Sequence, residues 1–266
     1  VQLHNDLGFE LPQYYHLPLI MGKNPETGEV SKLSKRHGAV SFADLTMQGY
    51  LPEAIINYIA LLGWHPGDSE QEFFTLDELI KVFNADDIRK SSAIFDYDKL
   101  KWMNSKYIEK MDLTQFKSYA MPILDKTITH KLDDLDKLCE ILKPRIQIFS
   151  EISEKVTFFE ELPDFDINLL ANDKKKTTLE NSKIILENAI KLLTEIEQKD
   201  WLNDNLFAVL EQIATDNQLK PMSVMWVVRL AVSGNIVTVG GATEIMQILG
   251  KEETLARLNK TLNKLS

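Results

Sequence analysis

Lys32-Leu33-Ser34-Lys35-Arg36 is the stretch of this chain whose side chains are best suited to chemistry. Two lysines and an arginine stand within five residues, with a small hydroxyl between them. Met21 to Val30, just upstream, is rich in Gly, Pro, Asn and Thr and reads as a turn or mobile loop. Ammonium groups on such a loop can close over a triphosphate, each following an oxygen as negative charge moves during a reaction. An ordinary solvated loop has the same composition, so the five residues alone leave both readings open. Gly22 to Lys32 is not a P-loop, because no Gly-Lys-Ser/Thr closes it.

The elements that would position this loop can be read from spacing. Tyr14 to Met21 is aromatic and β-branched enough for a strand that feeds it. Val1 to Leu11 reads as a short helix with Gly8 as its stop. Ser41 is placed to cap a short helix that Gly49 can end. Leu51 to Leu62 is the clearest helix, with Pro52 in its first turn and Ala54, Ile55, Tyr58, Ile59 and Leu62 on one face. Thr75 to Glu78 is a capping box before a helix over Leu76 to Phe83, and Phe95 to Met103 carries a further apolar face. From Asp112 onward the pattern is helical, punctuated by Pro122, Pro144, Pro163 and Pro221. Helices are expected over 133–142, 145–159, 179–196, 201–214, 223–232, 243–249 and 252–265, with strand-like alternation only over 235–239. Asn172 to Lys176 holds three consecutive lysines and is the best linker candidate. The chain is therefore expected to be mainly α, divided at 1–111, 112–172 and 173–266.

Composition bounds the function. Hydrophobic residues are 44% and charged residues 26% of the 266, as in an ordinary globular protein. A net charge of −10 argues against a general nucleic-acid coat, though a local basic patch is what meets phosphates. The single cysteine, Cys139, permits no intrachain disulfide and no cysteine-based zinc site, and a reducing cytoplasm fits it. The five histidines lack ligand spacing, so no metal ligands are predicted. No apolar run reaches membrane length; Ser223 to Val239 is broken by Arg229 and Asn235. The start has neither the basic end nor the apolar core of a signal peptide and lacks an initiator Met, which suggests a chain cut from something longer.

Longer segments identify the pentapeptide. His37 to Phe42 (HGAVSF), Gly49 to Trp64 (GYLPEAIINYIALLGW) and Ser92 to Asn104 (SAIFDYDKLKWMN) together resemble bacterial-type glutamyl-tRNA synthetase, a class I aminoacyl-tRNA synthetase. Lys32 to Arg36 resembles that family's KMSKS loop, with Leu33 for Met and Arg36 for the last Ser. Lys220-Pro-Met, then Val228 to Gly234, Ile248 to Glu252 and Arg257-Leu258 resemble the end of its anticodon-binding domain. The similarity runs from about His16 to the C-terminus, dense at first and thinner later. A helical second half separates the chain from the related glutaminyl enzymes, whose anticodon domains are β-barrels. It also disfavours the truncated tRNA-modifying paralogue.

The resemblance implies a stem-contact fold carrying the KMSKS-type loop, followed by an all-helical anticodon-binding domain. It implies that Lys32, Ser34, Lys35 and Arg36 meet the phosphates of ATP, with Mg2+ present in the parent enzyme, and that Lys35 stabilises charge as pyrophosphate leaves. Implied partners are tRNA-Glu, ATP and L-glutamate, in a cytoplasmic monomer. For tRNA contact the candidates are Arg145, Phe149, Arg229, Arg257 and Lys260. An arginine such as Arg145 can stack on an unpaired base or fork to a phosphate, or simply pair within the protein. Arg229, in an apolar helix, could equally be a structural ion pair. Arg257, Lys260 and Lys264 fall on one helical face, either solvated or against an RNA backbone. The family's His-x-Gly-His motif has no counterpart here, so the chain alone is expected to be inactive and to hold no nucleotide tightly. The remaining alternative is a helical interaction scaffold with a chance basic loop.

Overall fold

The computed structural model describes residues 1–24, 27–34, 41–67 and 70–265. These form two compact units, Val1–Tyr107 and Ile108–Ser266. In the first, α1 (Gln2–Leu7) is closed by Gly8, and β1 (Ile20–Lys23) lies between two partners. It pairs antiparallel with β2 (Val30–Lys32) and parallel with β3 (Ala93–Phe95), placing Met21 opposite both Lys32 and Ile94. The helices are α2 (Phe42–Met47), α3 (Pro52–Leu61), α4 (Leu76–Val82) and α5 (Tyr97–Lys110), the last ending beyond the unit's boundary. Ser41 caps α2, and the Thr75–Glu78 capping box closes α4, as their spacing predicts. The strand expected from Tyr14 begins only at Ile20, because among the described residues no neighbouring strand supplies a ladder before it; Tyr14, Tyr15 and Leu17 are exposed. Phe95 ends β3 rather than opening a helix.

Buried polar side chains register this unit. Leu51 cannot cap α3 with its own side chain, and the buried Asn104 carboxamide oxygen accepts the Leu51 N–H at 2.8 Å instead. Asn57, also buried, accepts from the Phe74 N–H at 2.8 Å and the Tyr107 hydroxyl at 2.5 Å, and donates to the Glu72 carbonyl at 3.0 Å. Tyr58 donates to the Asp96 carbonyl and accepts from its N–H, tying α3 to the β3–α5 junction. Burial pushes the Tyr58 and Tyr107 hydroxyls up to about 12, so both remain protonated donors.

The second unit is helical: α6 (Leu113–Thr127), α7 (Leu135–Leu142), α8 (Glu151–Glu160), α9 (Leu179–Glu195), α10 (Asn203–Asp216), α11 (Pro221–Ser233) and α12 (Ala242–Lys264). At its centre lies α11, nine of whose thirteen residues are buried. Each buried Val or Leu there contributes about 1.5–3 kcal/mol. Pro122 does not interrupt the chain but sits inside α6. The helix expected over 145–159 begins only at Glu151, after a separate 3₁₀ turn at Lys143–Arg145. No strand forms over 235–239. Residues 108–266 are one compact unit, since α12 packs on both α7 and α9. Asn172–Lys176 is not a loose linker: Asn172 and Thr177 bridge, the Thr177 hydroxyl donates to Leu170, and the Lys175 carbonyl accepts from Ser223 at 2.6 Å.

The two helices expected over 243–249 and 252–265 are continuous except at Gly250, whose φ of 81° and ψ of 170° break the helix. An L-residue there is strained, and its Cβ would lie 2.2 Å from the Asp133 carboxylate. Asp133 cannot easily yield, because its N–H donates to Ile248 and its carboxylate accepts from Gln198. Gly250→Ala is expected to destabilise the protein by about 2–4 kcal/mol, read as a lower midpoint in thermal or denaturant unfolding; an unchanged midpoint would contradict this packing.

Candidate nucleic-acid interface

The basic loop is anchored by the ladder and then leaves it. β2 is an edge strand, exposed along its length. Lys32 is its last paired residue, and the Leu33 N–H extends the ladder to Ile20 at 3.0 Å. The exposed Lys32 ammonium therefore starts from a fixed backbone. Ser34 follows, also exposed, while Lys35 and Arg36 lie outside the described residues.

In the helical unit one depression gathers cations around an indole. Lys175, Met222, Met225, Trp226, Arg229 and the Gly241–Ala242 start of α12 line a cavity of about 130 Å³. Trp226 and Arg229 are one helical turn apart on α11, so their side chains meet: the guanidinium lies 5.3 Å from the ring centroid, and the Lys175 ammonium 5.9 Å from it. The indole N–H donates to Leu169 at 3.2 Å, which orients the ring. Arg229 donates from Nη2 to the Ile236 carbonyl at 2.9 Å, and its buried Nε has no partner among the described residues. Burial lowers the Arg229 guanidinium from its ordinary range, though arginine stays charged at neutral pH. Met222, Ile236 and Val237 stand exposed on α11 and its following loop. A half-buried guanidinium that lines a depression beside exposed apolar side chains can take a planar polar group or a phosphate.

Two expected surface contacts are core residues. Phe149 is buried, packed on Phe116 and stacked on Tyr119 with centroids 5.0 Å apart. Arg257 is 2% exposed, and all of its contacts are internal. Helical spacing places a residue on a face; which face meets the core is decided by what packs there. Arg145 is exposed and spends one N–H on the Ile141 carbonyl at the end of α7. Lys260 is exposed; its neighbour Lys264 pairs with Asp164 at 2.5 Å, and both cations hold that carboxyl below its usual range, Lys264 foremost. Arg145 stands on a separate element from the Arg229 depression, and Lys260 lies in the last part of α12, whose first residue lines that depression. Lys175, Met222 and Trp226 were missed as site residues in sequence: the first read as linker, Met222 entered only as part of the Lys220-Pro-Met segment, and Trp226 was not singled out. The available signal was the three-residue spacing from Trp226 to Arg229.

Cys139 is buried and its thiol is pushed up to about 11 by burial, an unreactive state. Among the described residues, no three His, Cys, Asp or Glu side chains gather as a metal site requires, and no helix is long and apolar enough to cross a membrane.

Comparison with known proteins agrees with this layout. Residues 87–262 match the anticodon binding domain family, and residues 1–102 match the catalytic domain of class I (E and Q) tRNA synthetases. The glutamate–tRNA ligase of Clostridium novyi (strain NT) is 44% identical over 267 residues, covering 99% of this chain and 53% of the relative. That of Clostridium kluyveri is 44% identical over 264 residues, with 99% and 52% covered. The crystal structure of a glutamate tRNA ligase from Elizabethkingia meningosepticum, in complex with its amino acid, superposes with a TM-score of 0.83 at 26% identity, covering 100% of this chain and 54% of that one. The chain thus spans about half the length of the curated relatives it matches. None of this supports an interaction scaffold with a chance basic loop. With two family matches in order along almost its whole length, and an anticodon-binding domain built from seven packed helices, the chain belongs to the glutamyl-tRNA synthetase family.

Proposed function

We propose that the protein to which this chain belongs activates L-glutamate with ATP and Mg2+ and transfers it to tRNA-Glu, as a soluble cytoplasmic monomer. Within it, this part holds the tRNA and supplies the phosphate-facing loop. The observation that carries the tRNA reading is the Arg229 depression: a half-buried guanidinium lining an open depression, stacked near Trp226 with Lys175 beside it, inside the anticodon-binding match. Anticodon bases are unpaired, so a protein can splay them and read their edges with such donors. Arg229 takes the base-reading role. Arg145 and Lys260, exposed and apart, take the phosphate backbone. Phe149 and Arg257 leave the contact set because they are buried.

On the loop side, Lys32 fits a phosphate: it is exposed, based on a paired strand, and has no acidic partner among the described residues. In the proposed reaction the glutamate carboxylate attacks the α-phosphate and pyrophosphate departs. Lys32 and Ser34 hold the phosphates, Lys35 follows the charge growing on them, and Arg36 assists or steadies the loop. ATP is the substrate here and is not held tightly by this chain alone.

Three substitutions test these assignments. With the whole chain and a fluorescent anticodon stem-loop of tRNA-Glu, Arg229→Ala is expected to weaken binding by about 1–3 kcal/mol. Lys260→Ala should weaken it uniformly across sequences and lower the salt slope by about 1. An Arg229 variant with wild-type affinity for the cognate loop would remove the depression from the interface. In the full-length protein, Lys35→Ala should slow adenylate formation on the order of a hundredfold, equivalent to about 3 kcal/mol, with tRNA affinity nearly unchanged. A loss of tRNA affinity with intact chemistry would make the loop an RNA contact instead.

A further inference from the structure

The buried cation on α12 has a consequence for the depression on α11. Arg257 uses four of its five N–H donors inside the protein. Nε donates to Glu253 at 2.6 Å, Nη1 to the Phe158 and Val232 carbonyls at 2.6 and 2.9 Å, and Nη2 to the Phe159 carbonyl at 3.0 Å. Phe158 and Phe159 belong to the last turn of α8, and Val232 to the last turn of α11. Helix C-termini carry unpaired carbonyls and the negative end of the peptide dipoles. One guanidinium therefore serves two helix ends at once.

Those ends converge at the exit of α11. Gly234 closes the helix at a φ of 65°, and a Cβ there would lie 2.7 Å from the Pro163 ring and 2.9 Å from the Pro163 carbonyl, just after α8. Thr261, one helical turn beyond Arg257, donates to the Ala231 carbonyl at 3.2 Å. Ser233, next to the clamped Val232, donates to the Arg229 carbonyl at 2.7 Å. The 234–241 loop begins there, receives the Arg229 Nη2 bond at Ile236, and ends at Gly241 in the wall of the depression. For stability alone, apolar side chains of similar volume serve as well as a buried charge. Three directed bonds to the ends of α8 and α11 serve geometry, while the fourth, to Glu253, stays on α12.

We propose that Arg257 is a positioning residue for anticodon recognition: by fixing the exit of α11 it holds Arg229 and the 234–241 loop in the arrangement that reads a base. This rests on the anticodon reading above. The test uses the whole chain and two stem-loops differing only in the anticodon. Arg257→Lys, which keeps the charge but loses the fork, is expected to lower the cognate-to-changed affinity ratio about tenfold. It should also speed amide exchange across residues 234–241. Thr261→Val, which leaves no buried charge, should act in the same direction and less. Leu124→Ala is the control: it empties part of the core of α6, which packs on α7 and α8, and should lower Tm without moving the ratio or the loop's exchange. Arg257→Lys with a wild-type ratio and wild-type loop exchange, despite a lowered Tm like that of Leu124→Ala, would overturn the proposal. A wild-type ratio of one would overturn the anticodon reading, and the exchange measurement would then decide by itself whether Arg257 holds the loop.

Discussion

A cation buried among carbonyls organises the helical unit. The Arg257 guanidinium sits where α8 and α11 end, and both helices would otherwise bring unpaired acceptors into the core. An unsatisfied buried carbonyl costs about 1–3 kcal/mol, so filling three of them with one side chain fixes the relative placement of the two helices. Gly234, Pro163 and Gly250 then follow from closeness: backbones approach where no side chain can intervene. The pieces are interdependent, because the clamp needs α12 bent at Gly250 and docked through Asp133 on the segment before α7.

The first unit obeys a similar constraint with neutral groups. Asn57, Asn104 and Tyr58 satisfy backbone donors and acceptors that neither the helices nor the short sheet can reach. These bonds set α3 against β3 and α5. β1, paired with both β2 and β3, in turn fixes the strand from which the basic loop departs. The ladder ending at Leu33 gives the basic loop a fixed root.

Electrostatics is handled locally. A chain of net charge −10 repels a polyanion at long range, so the proposed contacts to RNA depend on cations placed by the fold. Lys175 and Arg229 are brought together over one indole, whereas Lys264 and Arg257 are spent on internal partners. Sequence proximity does not separate these uses: Lys260 and Lys264 share a helical face and both act on Asp164, yet the ion pair is formed by Lys264.

Much of the architecture was legible before any coordinates. Helical periodicity, the Thr75–Glu78 box, Ser41 and Pro52 predicted α2 to α4 closely, because caps and amphipathic faces are local properties. The long segments from His37 to Asn104 and from Lys220 to Leu258 carried the family. The sequence alone did not determine direction or depth. Phe149, in the turn before α8, and Arg257, on α12, could each have faced water or core by sequence, and only packing placed them inside. Lys174 to Lys176 read as linker because charge runs usually are; Thr177 and Ser223 close it through bonds to partners up to 48 residues distant. The depression at Arg229 joins α11, the start of α12 and Lys175, a juxtaposition between segments remote in sequence that no local pattern encodes. Local chemistry determined the elements and the family; long-range packing decided which cations remained available for function.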